Sequence, residues 1–110
     1  MNLADFIDAR REQHLTELCE FLRIPSVSAK SEHKPDVERA ARWVADNLEA
    51  AGFKSVEIIP TNLHPLVYAE SLEAPGKPTI LFYGHYDVQP AEPLNLWTTP
   101  AFEPAVRNGN

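Results

Sequence analysis

With one cysteine, Cys19, the chain can close no intrachain disulfide, which excludes a disulfide-stapled scaffold. Cations are also scarce: ten Lys and Arg stand against sixteen Asp and Glu, for a net charge of −6. They are scattered and build no basic face, which argues against nucleic acid and anionic membrane as partners. No apolar run has the length of a signal peptide or a membrane span. The first twenty residues carry Asp5, Asp8, Arg10, Arg11, Glu12 and Glu17, so nothing predicts export. A glycine-flanked serine elbow is missing too, and Ser26 and Ser28 are read as turn or capping residues rather than nucleophiles. Cys19 falls on the apolar side of a predicted helix. It reads as a small core residue in a reducing compartment, and the protein as cytoplasmic.

What is present has the composition of a soluble globular domain, with 44% hydrophobic and 24% charged residues. A free-standing chain of this size buries only roughly 60–70% of its unfolded surface, so its stability margin is modest. Leu3, Phe6, Ile7, Leu15, Leu18, Cys19 and Leu22 recur at helical spacing and predict one amphipathic helix from Leu3 to Arg23, interrupted in its stripe by Arg10, Arg11 and His14. Ile24 precedes Pro25 and should end it. His33 lies in a charged loop and reads as solvated. Pro35 suits the first turn of a second helix, with Asp36 and Glu38 near its positive end. Its buried stripe is Val37, Ala40, Ala41, Val44, Leu48 and Ala51, its terminator Gly52, and Trp43 packs at its rim. Small residues on that stripe suit close approach to a sheet.

From Phe53 the period changes to that of strands. Phe53 to Ile59 and Leu66 to Glu70 are predicted strands around a turn that contains His64, read as a loop histidine rather than a ligand. Glu73 to Pro78 is dense in turn formers. Thr79-Ile80-Leu81-Phe82-Tyr83 then reads as a strand buried on both faces. The fold class expected is α/β, a mixed sheet flanked by helices. Past the third strand, Pro90, Pro93, Pro100 and Pro104 punctuate an irregular segment anchored by Trp97 and Phe102. That segment is expected either to wall an active site or merely to pin its loop. Asn108-Gly109 signals a tight hairpin turn with no second strand after it, so these residues are expected to be the front part of a larger domain.

The chemistry gathers at the mouth of the third strand. His85 and Asp87 lie two apart, so extended geometry projects both to the same side. Ligands of open α/β sheets collect at that end of strands. An imidazole that binds a metal also wants a carboxylate to fix its tautomer, which Asp87 could supply. The bland reading is a histidine hydrogen-bonded to a nearby carboxylate for structure alone. One imidazole does not hold a catalytic zinc, which takes about three protein ligands and an open position.

Gly84-His85-Tyr86-Asp87-Val88-Gln89-Pro90, with Trp97 and Pro100-Ala101-Phe102-Glu103-Pro104 after it, closely resembles the dipeptidase branch of the di-zinc metallopeptidases. That superfamily includes aminoacylases, acetylornithine deacetylase, succinyl-diaminopimelate desuccinylase and carnosine dipeptidases. The resemblance runs over nearly the whole chain, including Leu22 to Ser28 and Ala41 to Gly52. It implies that His85 is a ligand of one zinc and Asp87 the catalytic-site carboxylate that orients it. It further implies that residues 1–110 are the N-terminal part of a catalytic domain. The bridging aspartate, the glutamate base, the remaining ligands and a lid or dimerisation domain are all missing from them, so these residues alone should hydrolyse nothing. The activity implied for the complete enzyme is metal-assisted amide hydrolysis with two zinc ions. Its substrate would be a short peptide or an N-acyl amino acid, and the enzyme would form a homodimer. The rival readings are an N-acyl amino acid deacylase and a non-catalytic interaction module with an open sheet edge.

Overall fold

The computed structural model describes all residues from 1 to 110. They divide into two compact units, one formed by residues 25–90 and one by residues 1–24 with 91–110.

The first unit is built on a 17-residue helix, α3 (Lys34–Ala50), that follows a single 3-10 turn at Ser31–His33. Pro35 lies in the first turn, where its missing N–H is no loss. Val37, Ala40, Ala41 and Ala45 are its buried residues. The spacing is helical, but the stripe is shifted from the one expected. Ala45 is buried, while Val44 and Leu48 are half-buried and Ala51 is exposed. Gly52 takes φ +100 just beyond the helix, the left-handed terminator expected there. His33 is not simply solvated: its Nδ1 lies 2.7 Å from Asp36 Oδ2, and Arg39 contacts the other oxygen of Asp36 at 3.1 Å.

Helix α3 contacts both strands of a two-stranded antiparallel sheet, β1 (Ser55–Ile59) and β2 (Leu66–Glu70). The register pairs Val56 with Ala69 and Ile58 with Val67. These four are half-buried, while Ser55, Glu57, Ile59, Leu66 and Tyr68 on the other face are exposed, the period-2 alternation of a sheet covered on one side. In the connecting loop the Thr61 hydroxyl donates to the His64 carbonyl (2.6 Å) and accepts from the Leu63 N–H (3.1 Å), fixing the turn without glycine. A second turn, with Gly76 at φ +75 and the Lys77 N–H donating to the Ala74 carbonyl, follows β2 as the composition predicts.

The expected third strand does not form. Thr79 to Tyr83 adopts no regular structure, and Ile80, Leu81, Phe82 and Tyr83 are 72%, 91%, 84% and 93% exposed. A strand buried on both faces is defined by neighbours on each side, and among these residues no strand lies beside it. The sheet is accordingly antiparallel rather than mixed. Parallel pairing is confined to the bridge between Val27 and Val88.

In the second unit the predicted N-terminal helix is two helices, α1 (Leu3–Asp8) and α2 (Arg11–Leu22), and neither has a buried residue. The break falls at Ala9-Arg10, where the apolar stripe is interrupted. Arg10 leaves helical geometry, and its guanidinium sits 3.7 Å from the centre of the Phe6 ring. Asn2 caps α1 through a reciprocal pair of bonds with Asp5. Cys19 is half-buried, less deep than a core residue. Helix α2 ends at Leu22, ahead of Ile24-Pro25 as expected. In residues 91–110, Trp97 and Phe102 line a cleft of about 600 Å³ with Leu94 and Pro100, and the Trp97 indole N–H donates to the Ala91 carbonyl at 2.8 Å. Asn108 and Gly109, at φ +52 and +79, form a tight turn in which Arg107 and Asn110 exchange backbone bonds of 2.8 and 3.0 Å. It is the primed geometry that Asn-Gly favours.

Candidate metal-binding residues

The segment from His85 to Val88 is held in place by two others. Pro25 stops α2 and sends the chain out extended. Ser26 to Ser28 then runs alongside, with the Val88 N–H donating to the Ser26 carbonyl (3.0 Å) and the Ser26 hydroxyl to the Tyr86 carbonyl (3.1 Å). Ser26 and Val27 are buried. From the other direction the Tyr86 hydroxyl donates to the carbonyl of Pro65, in the β1–β2 loop. Partial burial, with a smaller effect of the Asp87 charge, holds that phenol above its ordinary pKa. The neighbouring His64 extends the same brace, its Nε2 lying 2.9 Å from the Ser28 carbonyl. A carbonyl only accepts, so Nε2 carries the proton. His64 Nδ1 is then buried with no hydrogen-bond partner.

With Tyr86 anchored on one side, alternation places His85 and Asp87 on the other. Their side chains meet: His85 Nδ1 lies 3.0 Å from Asp87 Oδ1 and 3.0 Å from the Asp87 carbonyl. Both partners are acceptors, so Nδ1 bears the proton and Nε2 holds the lone pair. The second carboxylate oxygen, Oδ2, accepts a 2.6 Å bond from the Ser28 hydroxyl. The sequence reading of Ser26 and Ser28 as turn or capping residues is therefore corrected. Both donate across some sixty residues of chain to the 86–87 segment, a pairing that two distant serines do not announce in sequence.

Asp87 is held below the usual carboxylate range chiefly by the Ser28 hydroxyl; burial opposes the shift, and His85 assists it. A carboxyl depressed on folding stabilises the fold above its ordinary value of 3.8 and ceases to do so as pH falls through the lower folded value. Ser28→Ala is accordingly expected to bring the Asp87 titration up towards 3.8, followed by carboxyl carbon shifts in NMR. The stability difference between the two proteins should shrink as the solution is acidified below that value. A carboxyl midpoint unmoved by the substitution would contradict the hydrogen bond.

The donor set suits one ligand position. The His85 side chain is 77% exposed and that of Asp87 39%, and the available Nε2 belongs to the tautomer that metals bind. No group of three or more His, Cys, Asp or Glu side chains converges in the structure.

No protein-family model matches the chain. It is 31% identical to the Cys-Gly metallodipeptidase of Candida albicans over 91% of its own length and 23% of that protein's. It is 30% identical to the human Beta-Ala-His dipeptidase over 88% of its own length and 22% of the relative's. Both relatives are dipeptidases, and the Candida albicans one is a metallodipeptidase. A solved structure of the dipeptidase Dug1p from Saccharomyces cerevisiae superposes with a TM-score of 0.80 at 30% identity, covering 88% of this chain and 22% of that one. The chain thus spans less than a quarter of the length of these relatives, and the resemblance carried by Gly84 to Pro90 is to the same class of protein. No helix is long and apolar enough to cross a membrane.

Proposed function

We propose that residues 1–110 are the N-terminal part of the catalytic domain of a cytoplasmic, zinc-dependent dipeptidase, the remainder of which completes the α/β sheet and the metal site. In this reading His85 binds one of two zinc ions through Nε2, and Asp87 fixes the ring that does so. The observation that carries it is the His85–Asp87 bond, which leaves a ligand-competent nitrogen exposed, in a chain similar to Cys-Gly metallodipeptidases. Metal bound there supplies Lewis acidity towards an amide carbonyl and acidifies water. The chain's own contribution is orientation: Asp87 accepts a hydrogen bond from the Nδ1–H and holds the ring, while Ser28, Tyr86 and the Val27–Val88 bridge hold the segment in place.

The substrate class is a dipeptide such as Cys-Gly or Beta-Ala-His, cleaved at its amide bond, and self-association is assigned to residues outside this chain. The test is metal content and hydrolysis in the full-length protein. About two zinc ions per chain are expected, the number of a shared-water pair, with cleavage of dipeptides and little cleavage of N-acyl amino acids. A reversed substrate preference would make it a deacylase, and neither metal nor hydrolysis would make it an interaction module. The isolated 110 residues are expected to be inactive. Chelator-sensitive hydrolysis by them would refute the proposal that the site is completed elsewhere.

A further inference from the structure

We infer that Ser28 is a positioning residue for His85, acting through Asp87. The Ser28 hydroxyl, 2.6 Å from Asp87 Oδ2, fixes the carboxylate so that Oδ1 meets His85 Nδ1 at 3.0 Å. Asp87 is partly open to water, and a carboxylate in that position has rotamers that turn it away from the ring. It is tied instead from two opposite sides, one oxygen to each partner. Being an acceptor only, it obliges both Ser28 and His85 to donate, and this sets the direction of every proton in the array.

Ser28 is itself held at three points. The Val27–Val88 bridge fixes the backbone beside it, the Ser26 hydroxyl bonds the Tyr86 carbonyl, and its own carbonyl accepts from His64 Nε2 at 2.9 Å. The array therefore runs from the β1–β2 loop through Ser28 and Asp87 to the His85 ring. A hydroxyl at position 28 is required by it; a residue of turn propensity alone is not enough. The part of this inference that concerns metal rests on the reading of His85 as a ligand, whereas the part that concerns the ring does not.

The test has two arms. In the metal-free 110-residue chain, long-range proton–nitrogen NMR correlations report which nitrogen of His85 is protonated in the neutral ring. The expected result is the Nδ1–H form in the parent, a shift towards the Nε2–H form in Ser28→Ala, and the parent pattern again in Ser28→Thr, which keeps the hydroxyl. Dispersed amide signals verify that each variant is folded. If Ser28→Ala does not fold, Ser28→Thr and Ser28→Cys decide, the first retaining and the second losing the Nδ1–H form. An unchanged His85 ring in the variant lacking the hydroxyl overturns the inference.

In the full-length protein, zinc affinity is measured by competition with a chromophoric chelator. Ser28→Ala is expected to weaken it by roughly 10- to 100-fold, the range for partners of metal-bound histidines. Adding Ser28→Ala to Asp87→Asn should weaken it no further, because both act through one carboxylate. Additive losses would mean that Ser28 acts by general stability and would overturn the inference. If His85→Ala leaves zinc affinity intact, the assignment of His85 as a ligand fails, and the ring tautomer alone then decides the role of Ser28.

Discussion

Exchange of His85 for alanine in the full-length protein is expected to remove metal and peptidase activity together while leaving the fold in place. His85 contributes nothing to the core: its side chain is largely exposed and its bonds run only to Asp87. With metal removed from both proteins, its loss should change the unfolding free energy by no more than the scatter of surface substitutions, about 0.5 kcal/mol. The loss of affinity should exceed the roughly 100-fold that marks the upper range for outer-shell partners, because a coordinate bond goes with it. Asp87→Asn should fall between the parent and His85→Ala. The amide can still reach the ring, but it can offer its NH₂ in place of an acceptor, which leaves the backbone carbonyl of residue 87 alone to favour the Nδ1–H form. Metal analysis after dialysis against a weak chelator, alongside dipeptide hydrolysis, reads both effects. Full metal occupancy in His85→Ala would remove the basis of the proposed site.

The second large effect lies in the helix–sheet core. Ala41 is fully buried on α3, which contacts both β1 and β2. Ala41→Asp places a carboxylate at a fully buried position on the helix–sheet face. Such a charge costs about 3–5 kcal/mol, against a total stability on the order of 5–15 kcal/mol for a domain of this size. The variant is expected to lose cooperative unfolding, or to unfold at much lower urea than the parent. Ala41→Leu is the milder control. Overpacking should cost about 1–3 kcal/mol, enough to move the midpoint without abolishing the transition. A parent-like urea curve for Ala41→Asp would mean that α3 is not seated on the sheet as described.

What could be read from the sequence was what local chemistry dictates. Helix α3 followed from small apolar residues at helical spacing between Pro35 and Gly52. Strands β1 and β2 followed from alternation bounded by Pro60 and Pro65, and the Asn108-Gly109 turn from the positive φ that both residues tolerate. The one long N-terminal helix was misread where the stripe was already broken, at Arg10. Thr79 to Tyr83 was misread for a different reason. Its composition is that of a buried strand, but strand formation takes a partner, and composition cannot provide one.

The site divides along the same line. His85 and Asp87 were visible because two residues of extended chain carry both side chains to one side, a relation set by backbone geometry alone. Their contact in the structure agrees with that reading. Ser28, His64 and Tyr86 were not visible as its supports, since their bonds span 59, 36 and 21 residues of chain. By itself the sequence determined α3, β1, β2, the turns and the His85–Asp87 pair, all fixed by interactions between near neighbours. Only the tertiary structure decided which oxygen of Asp87 meets which donor, and hence which nitrogen of His85 is left free. Those bonds depend on the Ser26–Ser28 segment being laid beside Tyr86–Val88, and no local preference encodes that.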